Sequence, residues 1–368
     1  MIITRFKAKN FRNVEECEIS FKPGLNLLHG KNAQGKTNAL EGIYVFSRGK
    51  SFRAREEKDL IRFGADGFYL SIDYEDRFGE NRLEYSVHSK ERQRKKNGYK
   101  LSGVTEMLGS FRSVLFFPDN LDIVKGGPEE RRNLLNVAIS QYDPAYVKYY
   151  SGYKKALENR NCLLKLSQKG FYVDERELKS WSESMAEYAS YVYLMRLRYA
   201  NRIAPHTARI MKEISGGTES VGLEYLSDVE EPSTDRERVR EIYLEKLTSS
   251  LERERAAGVT LFGPHRDEVK ILLDGKDTRI FSSQGQQRSV VLAIKLAEGE
   301  VIKDECGEYP VYLFDDVLSE LDERRRSYVL GDTGEKQIII TSCESEEYER
   351  YGANIITVEG GSYVPAHR

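Results

Sequence analysis

Polar and apolar positions alternate through IITRFKAKNF (2–11) and VEECEISF (14–21), which predicts two strands with one buried face each. GLNLLHG (24–30) is instead an apolar run ending in glycine, and a helical spacing follows from Lys36 to about Phe46. FYLSIDYED (68–76) and NRLEYSVHS (81–89) read as an antiparallel meander with a turn at KKNGYK (95–100). SVLFFP (113–118) is a short buried-strand candidate.

From Pro128 to about Ala257 the period lengthens to that of helices. A seam through Leu178, Trp181, Met185, Tyr188, Val192, Met195 and Tyr199 alternates steps of three and four, as a short coiled-coil arm does. SVGLEYL (220–226) interrupts this region as one strand. Strand patterns return in GVTLFG (258–263), EVKILLDGKD (268–277), YPVYLFDD (309–316), KQIIITS (336–342) and NIITVEGG (354–361), with helical patterns between several of them. Strand-rich ends around a helical middle predict an α/β head, 1–118 and 258–368, split by a helical insertion at 119–257.

Composition narrows the function classes. The 368 residues carry 57 basic and 59 acidic side chains, a net charge of −2, so any nucleic-acid contact must come from local patches. The four cysteines show no metal or redox spacing, which fits a reducing cytoplasm, and neither a signal-peptide core nor a membrane-length apolar run is evident.

Chemistry enters at Gly30-Lys31-Asn32-Ala33-Gln34-Gly35-Lys36-Thr37, which fits G-x-x-x-x-G-K-[ST] between an apolar strand and a helix. The glycines let backbone N–H groups curl around phosphates at a helix N-terminus. Lys36 is expected on the β and γ phosphates of ATP, and the Thr37 hydroxyl on Mg²⁺. The strand PVYLF ends in Asp315 and Asp316, where α/β sheets place their ligands. Asp315 is expected as the second Mg²⁺ partner and Asp316 as the group polarising the attacking water.

The stretch SSQGQ (282–286) opens an apolar helix with more polar side chains than a cap requires. It resembles the signature of ABC-type ATPases, and SELD (319–322) falls where that class has its D-loop. In that class Ser283, Gln284, Gly285 and Gln286 face a nucleotide held by a second subunit, with Ser319 and Asp322 beside them. Gln284 stands where a glycine is usual, Asp316 where transporter ATPases usually carry glutamate, and Thr341 or Ser342 near the position of their switch histidine. No glutamine loop is evident. These departures point away from transporter subunits, and the signature and D-loop point away from a small-molecule kinase; an ATPase subunit of a membrane transporter is the alternative.

KNFRN (9–13), PGLNLLHGKNAQGKTNALEGIY (23–44), SRGKSFR (47–53), FFPDNLDIVKGGPEERRNLLN (116–136), GPHRDE (263–268), SSQGQQRSVVLAIKLAE (282–298) and LFDDVLSELD (313–322) together resemble the RecF family of SMC-like bacterial repair ATPases. The resemblance implies an ABC-type P-loop ATPase head with an inserted helical lid. It also implies a cytoplasmic homodimer formed on ATP, double-stranded DNA at gap junctions as ligand, and RecR and RecO as partners in loading RecA, with slow hydrolysis. By the same pattern Arg12, Asn13 and Asn38 are nucleotide-contact candidates. Arg266, with Thr341 and Ser342, is a switch candidate. Basic clusters at Arg5, Lys7, Lys9 and Arg12, at Arg48, Lys50, Arg53 and Arg55, and at Arg92, Arg94, Lys95, Lys96 and Lys100 could touch phosphate. The run 90–100 at a hairpin tip is the best exposed of them.

Overall fold

The computed structural model describes residues 1–89, 91–331 and 333–365. The chain divides into two compact units. The first comprises Met1–Leu121, His206–Ser220 and Ser282–Arg368, the second Asp122–Pro205 and Val221–Phe281.

Two sheets build the first unit. One has the order Ser362–Pro365, Asn354–Glu359, Leu25–His29, Gln337–Ser342, Val311–Asp315, Ser113–Phe116, and all its pairings are parallel except at the first edge. Its central strands VYLFD and QIIITS are buried along their whole length, as a sheet covered on both faces requires. The other is an antiparallel meander of Val14–Ser20, Ile2–Phe11, Gly67–Asp76, Gly79–His88, Glu91–Lys96 and Tyr99–Lys100. Its inner face supplies Phe6, Ala8, Leu70, Ile72, Leu83 and Tyr85 to the core shared with the helix Lys36–Arg48. Gly42 of that helix lets it approach closely: a Cβ there would lie 2.6 Å from the Phe6 ring. The turn of the KKNGYK hairpin is Asn97-Gly98, with φ of 51° and 84°, the positive values that Asn-Gly tolerates. Lys90, the first residue of the basic run, lies outside the described residues.

The second unit holds the helices Pro128–Ser140, Pro144–Gln168, Arg236–Ser249 and Leu251–Ala257, most of the long helix Glu175–Ser215, and a three-stranded sheet. In that sheet Glu268–Leu273 pairs with Val221–Leu226 on one side and Lys276–Asp277 on the other. Segment 258–281 therefore belongs here and not to the head, while His206–Ser220 belongs to the head. The division falls at Pro205, a residue with no N–H for the helical ladder.

GVTLFG (258–263) does not form a strand. Side chains take its backbone donors instead: Thr260 N–H donates to Asn161 Oδ1 (2.8 Å), Leu261 N–H to Glu254 Oε1 (2.7 Å) and Gly263 N–H to Asp228 Oδ2 (2.6 Å). Along the predicted seam Leu178, Met185, Val192 and Tyr199 are buried, but so are Ala186, Ala189, Tyr193 and Arg196. The buried stripe is too wide for a two-stranded coil, and the helix packs within a bundle. Two ion pairs lie inside it, Arg160–Glu254 at 2.6 Å and Arg196–Asp267 at 2.8 Å, all four side chains nearly inaccessible.

Candidate nucleotide site

The strand Leu25–His29 delivers the chain to the loop 30–35, and the helix begins at Lys36. Gly35 has φ 115°, and a Cβ on it would stand 3.1 Å from the Tyr363 hydroxyl and 3.4 Å from Asn13 Oδ1. At Gly30 a Cβ would collide with the Val358 carbonyl. The C-terminal hairpin clamps the loop: Gly360 N–H donates to Gln34 Oε1 (2.6 Å), Gly361 N–H to the Gln34 carbonyl (3.0 Å), and the Tyr363 hydroxyl to the Gly35 carbonyl (2.9 Å). These three residues were not anticipated; the Gly-Gly turn signal after an apolar run was the only trace of them.

Lys36 is 6% exposed, and its ammonium donates to the carbonyls of Gly30 (2.5 Å) and Lys31 (3.1 Å) and lies 3.3 Å from Cys343 Sγ. No carboxylate pairs with it among the described residues. A buried cation with only neutral partners, under backbone N–H groups at a helix start, fits a phosphate chain. The adjoining cavity of about 200 Å³ is lined by Asn32, Ala33, Gly35, Lys36, Thr37, Asn38, Arg53, Asp316 and Thr341.

Asp315 Oδ1 accepts from the hydroxyls of Thr37 (2.8 Å) and Thr341 (2.9 Å), and Thr341 Oγ1 in turn accepts from Asp316 N–H (3.0 Å). Burial pushes the Asp315 carboxyl above its ordinary range despite these hydrogen bonds. Among the described residues no cluster of three or more His, Cys, Asp or Glu could hold a metal by itself. The Thr37–Asp315 oxygen pair does suit Mg²⁺, which takes one or two protein oxygens and fills its octahedron with phosphate and water. Asp316 is exposed at φ 54°, a left-handed conformation unusual for a non-glycine, and it faces the cavity rather than continuing the strand.

Behind the loop lies an unanticipated hub. Glu41 is fully buried, and its carboxylate accepts from Arg12 Nε (2.9 Å) and Nη2 (2.5 Å), from Arg53 Nη2 (2.6 Å) and from the Ser51 hydroxyl. Burial alone would push this carboxyl up; the hydrogen bonds from Arg12, Ser51 and Arg53 outweigh it and hold it below the ordinary range. Arg53 also donates to Asn38 Oδ1 (2.6 Å), and Asn38 Nδ2 to Asn13 Oδ1 (2.5 Å). Arg12, Asn13, Asn38 and Arg53 thus form one chain beside the loop. Arg53, grouped by sequence with DNA-contact candidates, is a wall of the cavity instead.

The signature stands apart from the cavity of its own chain, since none of residues 283–286 lines it. Ser283 caps the helix Gln284–Cys306 in a reciprocal box: its Oγ accepts from Gln286 N–H (3.3 Å), and Gln286 Oε1 accepts from Ser283 N–H (2.9 Å). In the D-loop Ser319 Oγ donates to the Asp316 carbonyl (3.3 Å), and Asp322 Oδ1 caps Arg325 N–H (2.9 Å). Of the switch candidates, Thr341 joins the site and Ser342 accepts the Gly30 N–H on its carbonyl (3.3 Å). Arg266 is exposed on a turn of the second unit, and the buried ion pair belongs to its neighbour Asp267.

The basic clusters differ in how far they are neutralised. Arg5 pairs with Asp73 and Glu18, Lys7 with Glu18 and Lys9 with Glu16 across the sheet. Arg92 pairs with Glu57 (2.5 Å), Arg94 covers the Tyr85 ring at 4.3 Å, and Lys96 reaches the Ser110 hydroxyl (3.2 Å). Lys100 on that hairpin stands at the surface and Lys95 is half-buried.

Residues 2–360 match the RecF/RecN/SMC N terminal domain family. The chain is 34% identical to the DNA replication and repair protein RecF of Clostridioides difficile, covering 96% of each chain. It is 38% identical to RecF of Geobacillus sp. over 95% of this chain and 94% of that one. Two solved structures, described as the recombination mediator protein RecF-ATPrS and RecF-ATP in the RecFOR pathway, superpose with TM-scores of 0.91 and 0.90 at 34% identity, covering 98% of each. The Smc head domain of Pyrococcus furiosus shares the fold at a TM-score of 0.58 and 20% identity. With an α/β ABC-type ATPase head fold, matched over residues 2–360 by the family model and over 95–96% of its length by RecF proteins, the chain belongs to the RecF family of DNA replication and repair proteins.

Proposed function

We propose that this protein is an ATP-dependent DNA-binding repair factor that dimerises when ATP fills the loop site, and that hydrolysis releases the pair. The observation that carries this reading is the split between a nearly complete phosphate site around Lys36 and a signature, residues 283–286, that does not line its cavity. Lys36 would exchange its loop carbonyls for β and γ phosphate oxygens. Thr37 and Asp315 would hold Mg²⁺, which when bound neutralises charge on the phosphate oxygens. Asp316 would take the proton of the attacking water, and Arg53, aimed by Glu41, would face the same phosphates.

Ser283 Oγ spends an acceptor lone pair on the cap, and no acceptor for its O–H is found among the described residues. That proton, at a helix N-terminus, suits a phosphate oxygen held by a second copy. Because the site is completed only in the dimer, turnover would be slow. By family, the DNA ligand would be duplex beside single-stranded gaps, with RecR and RecO as partners in loading RecA, in the cytoplasm. Family membership over nearly the whole chain favours this reading over a transporter subunit.

ATP turnover measured with and without gapped duplex DNA, at two salt concentrations, tests the proposal. Stimulation that weakens with salt is expected. Turnover indifferent to DNA would overturn it.

A further inference from the structure

Two polar bridges connect the signature helix to the D-loop, and the contacts between these motifs are set by the fold rather than by either motif alone. In the first, Arg288 Nη2 meets Glu320 Oε2 at 2.8 Å, joining the start of the second turn of the helix Gln284–Cys306 to the segment Leu318–Glu320. In the second, Gln286 Nε2 donates to Glu219 Oε1 (2.9 Å), and Glu219 Oε2 lies 3.7 Å from Arg325, whose guanidinium pairs with Asp322. Gln286 therefore uses both ends of its amide: Oε1 holds the Ser283 N–H, and Nε2 holds Glu219. Any shift of Glu219 is transmitted to the cap that orients Ser283.

We infer that Arg288, Glu320, Glu219 and Arg325 are positioning residues that lock the signature and the D-loop into one rigid block, so that a partner's nucleotide meets both at once. The inference rests on the two-headed reading above. Stability is a poor explanation for the first bridge, because the Arg288 and Glu320 side chains are 30% and 44% exposed. A pair so exposed contributes on the order of 0–1 kcal/mol to folding. What the bridges supply is geometry, and an error of about 1 Å in a catalytic constellation can cost as much as roughly a hundredfold in rate. Glu219 sits in the His206–Ser220 segment of the first unit, where Gly216 lets the chain pass the Arg324 guanidinium, which a Cβ there would strike.

A double-mutant cycle with Arg288→Ala and Glu320→Ala tests the block. Each single variant should lower kcat for ATP about tenfold, leaving KM and the nucleotide affinity of the protomer within about twofold. The double variant should be no worse than the poorer single, because both remove the same bridge. Arg288→Lys, which keeps the charge, should restore most of the turnover. Glu219→Gln, which keeps an oxygen for Gln286 but loses the charge facing Arg325, should also lower kcat with KM unchanged. Single variants with wild-type kcat, effects that multiply in the double, or a loss carried by KM would each overturn the inference. A wild-type chain that neither dimerises with ATP nor hydrolyses it would overturn the two-headed reading itself, and the block would fall with it.

Discussion

At the scale of single residues, the site centres on Lys36, a buried cation whose partners among the described residues are neutral. Lys36→Ala removes a charge-assisted contact of about 1.5–3 kcal/mol, so ATP affinity should fall roughly ten- to a hundredfold. Nucleotide titration by fluorescence checks this, and unchanged affinity would refute the phosphate role. Ser283→Arg should leave protomer affinity nearly intact and abolish ATP-induced dimers in sedimentation equilibrium, because the larger cation fills the approach to a partner's phosphate. Glu41→Ala strands Arg12 and Arg53, which are partly exposed and can recover water. Thermal melts should show a loss of about 1–3 kcal/mol, with a fall in turnover beyond what the lost stability explains. The phosphate loop was legible because it is a local spacing, whereas the reciprocal box of Ser283 and Gln286 emerged only from the structure. Glu41, Arg53 and Tyr363 were not legible either, because their partners lie far off in sequence or face a backbone carbonyl that no pattern announces.

At the scale of elements, periodicity found the strands whose burial is regular and erred where side chains replaced the ladder. Val311–Asp315 and Gln337–Ser342 are buried runs and could be read directly. GVTLFG is similarly apolar, but Asn161, Glu254 and Asp228 satisfy its backbone, Glu254 from the preceding helix and the other two from far along the chain. His265 follows that segment and is half-buried and neutral. Its Nδ1 accepts from the Tyr153 hydroxyl (2.6 Å), and its Nε2–H donates to the Thr260 carbonyl (3.2 Å). Burial lowers its pKa from 6.5 to about 4. Between those values the unfolded chain binds a proton that the folded chain does not, so stability rises with pH and is lost on acidification through that window. The loss should be on the order of 2–3 kcal/mol by pH 4. A His265→Gln variant should show a shallower fall in melting temperature between pH 7 and 5 than the wild type; parallel curves would refute the assignment.

At the scale of the molecule, the sequence reading placed an insertion in an α/β head, and the structure redraws its edges. The three-stranded sheet of the second unit brings Val221–Leu226 beside Glu268–Leu273, a pairing over a sequence distance that no local signal carries. The central claim is that ATP is completed by a second copy. Mixing two variants, Lys36→Ala and Ser283→Arg, tests it most directly. Each alone should be inactive, the first lacking the phosphate lysine and the second an approachable signature. In a mixed pair the intact loop of one chain meets the intact signature of the other and restores one composite site. The account predicts that an equimolar mixture hydrolyses ATP well above the sum of the separate variants; a mixture no more active than that sum would contradict it.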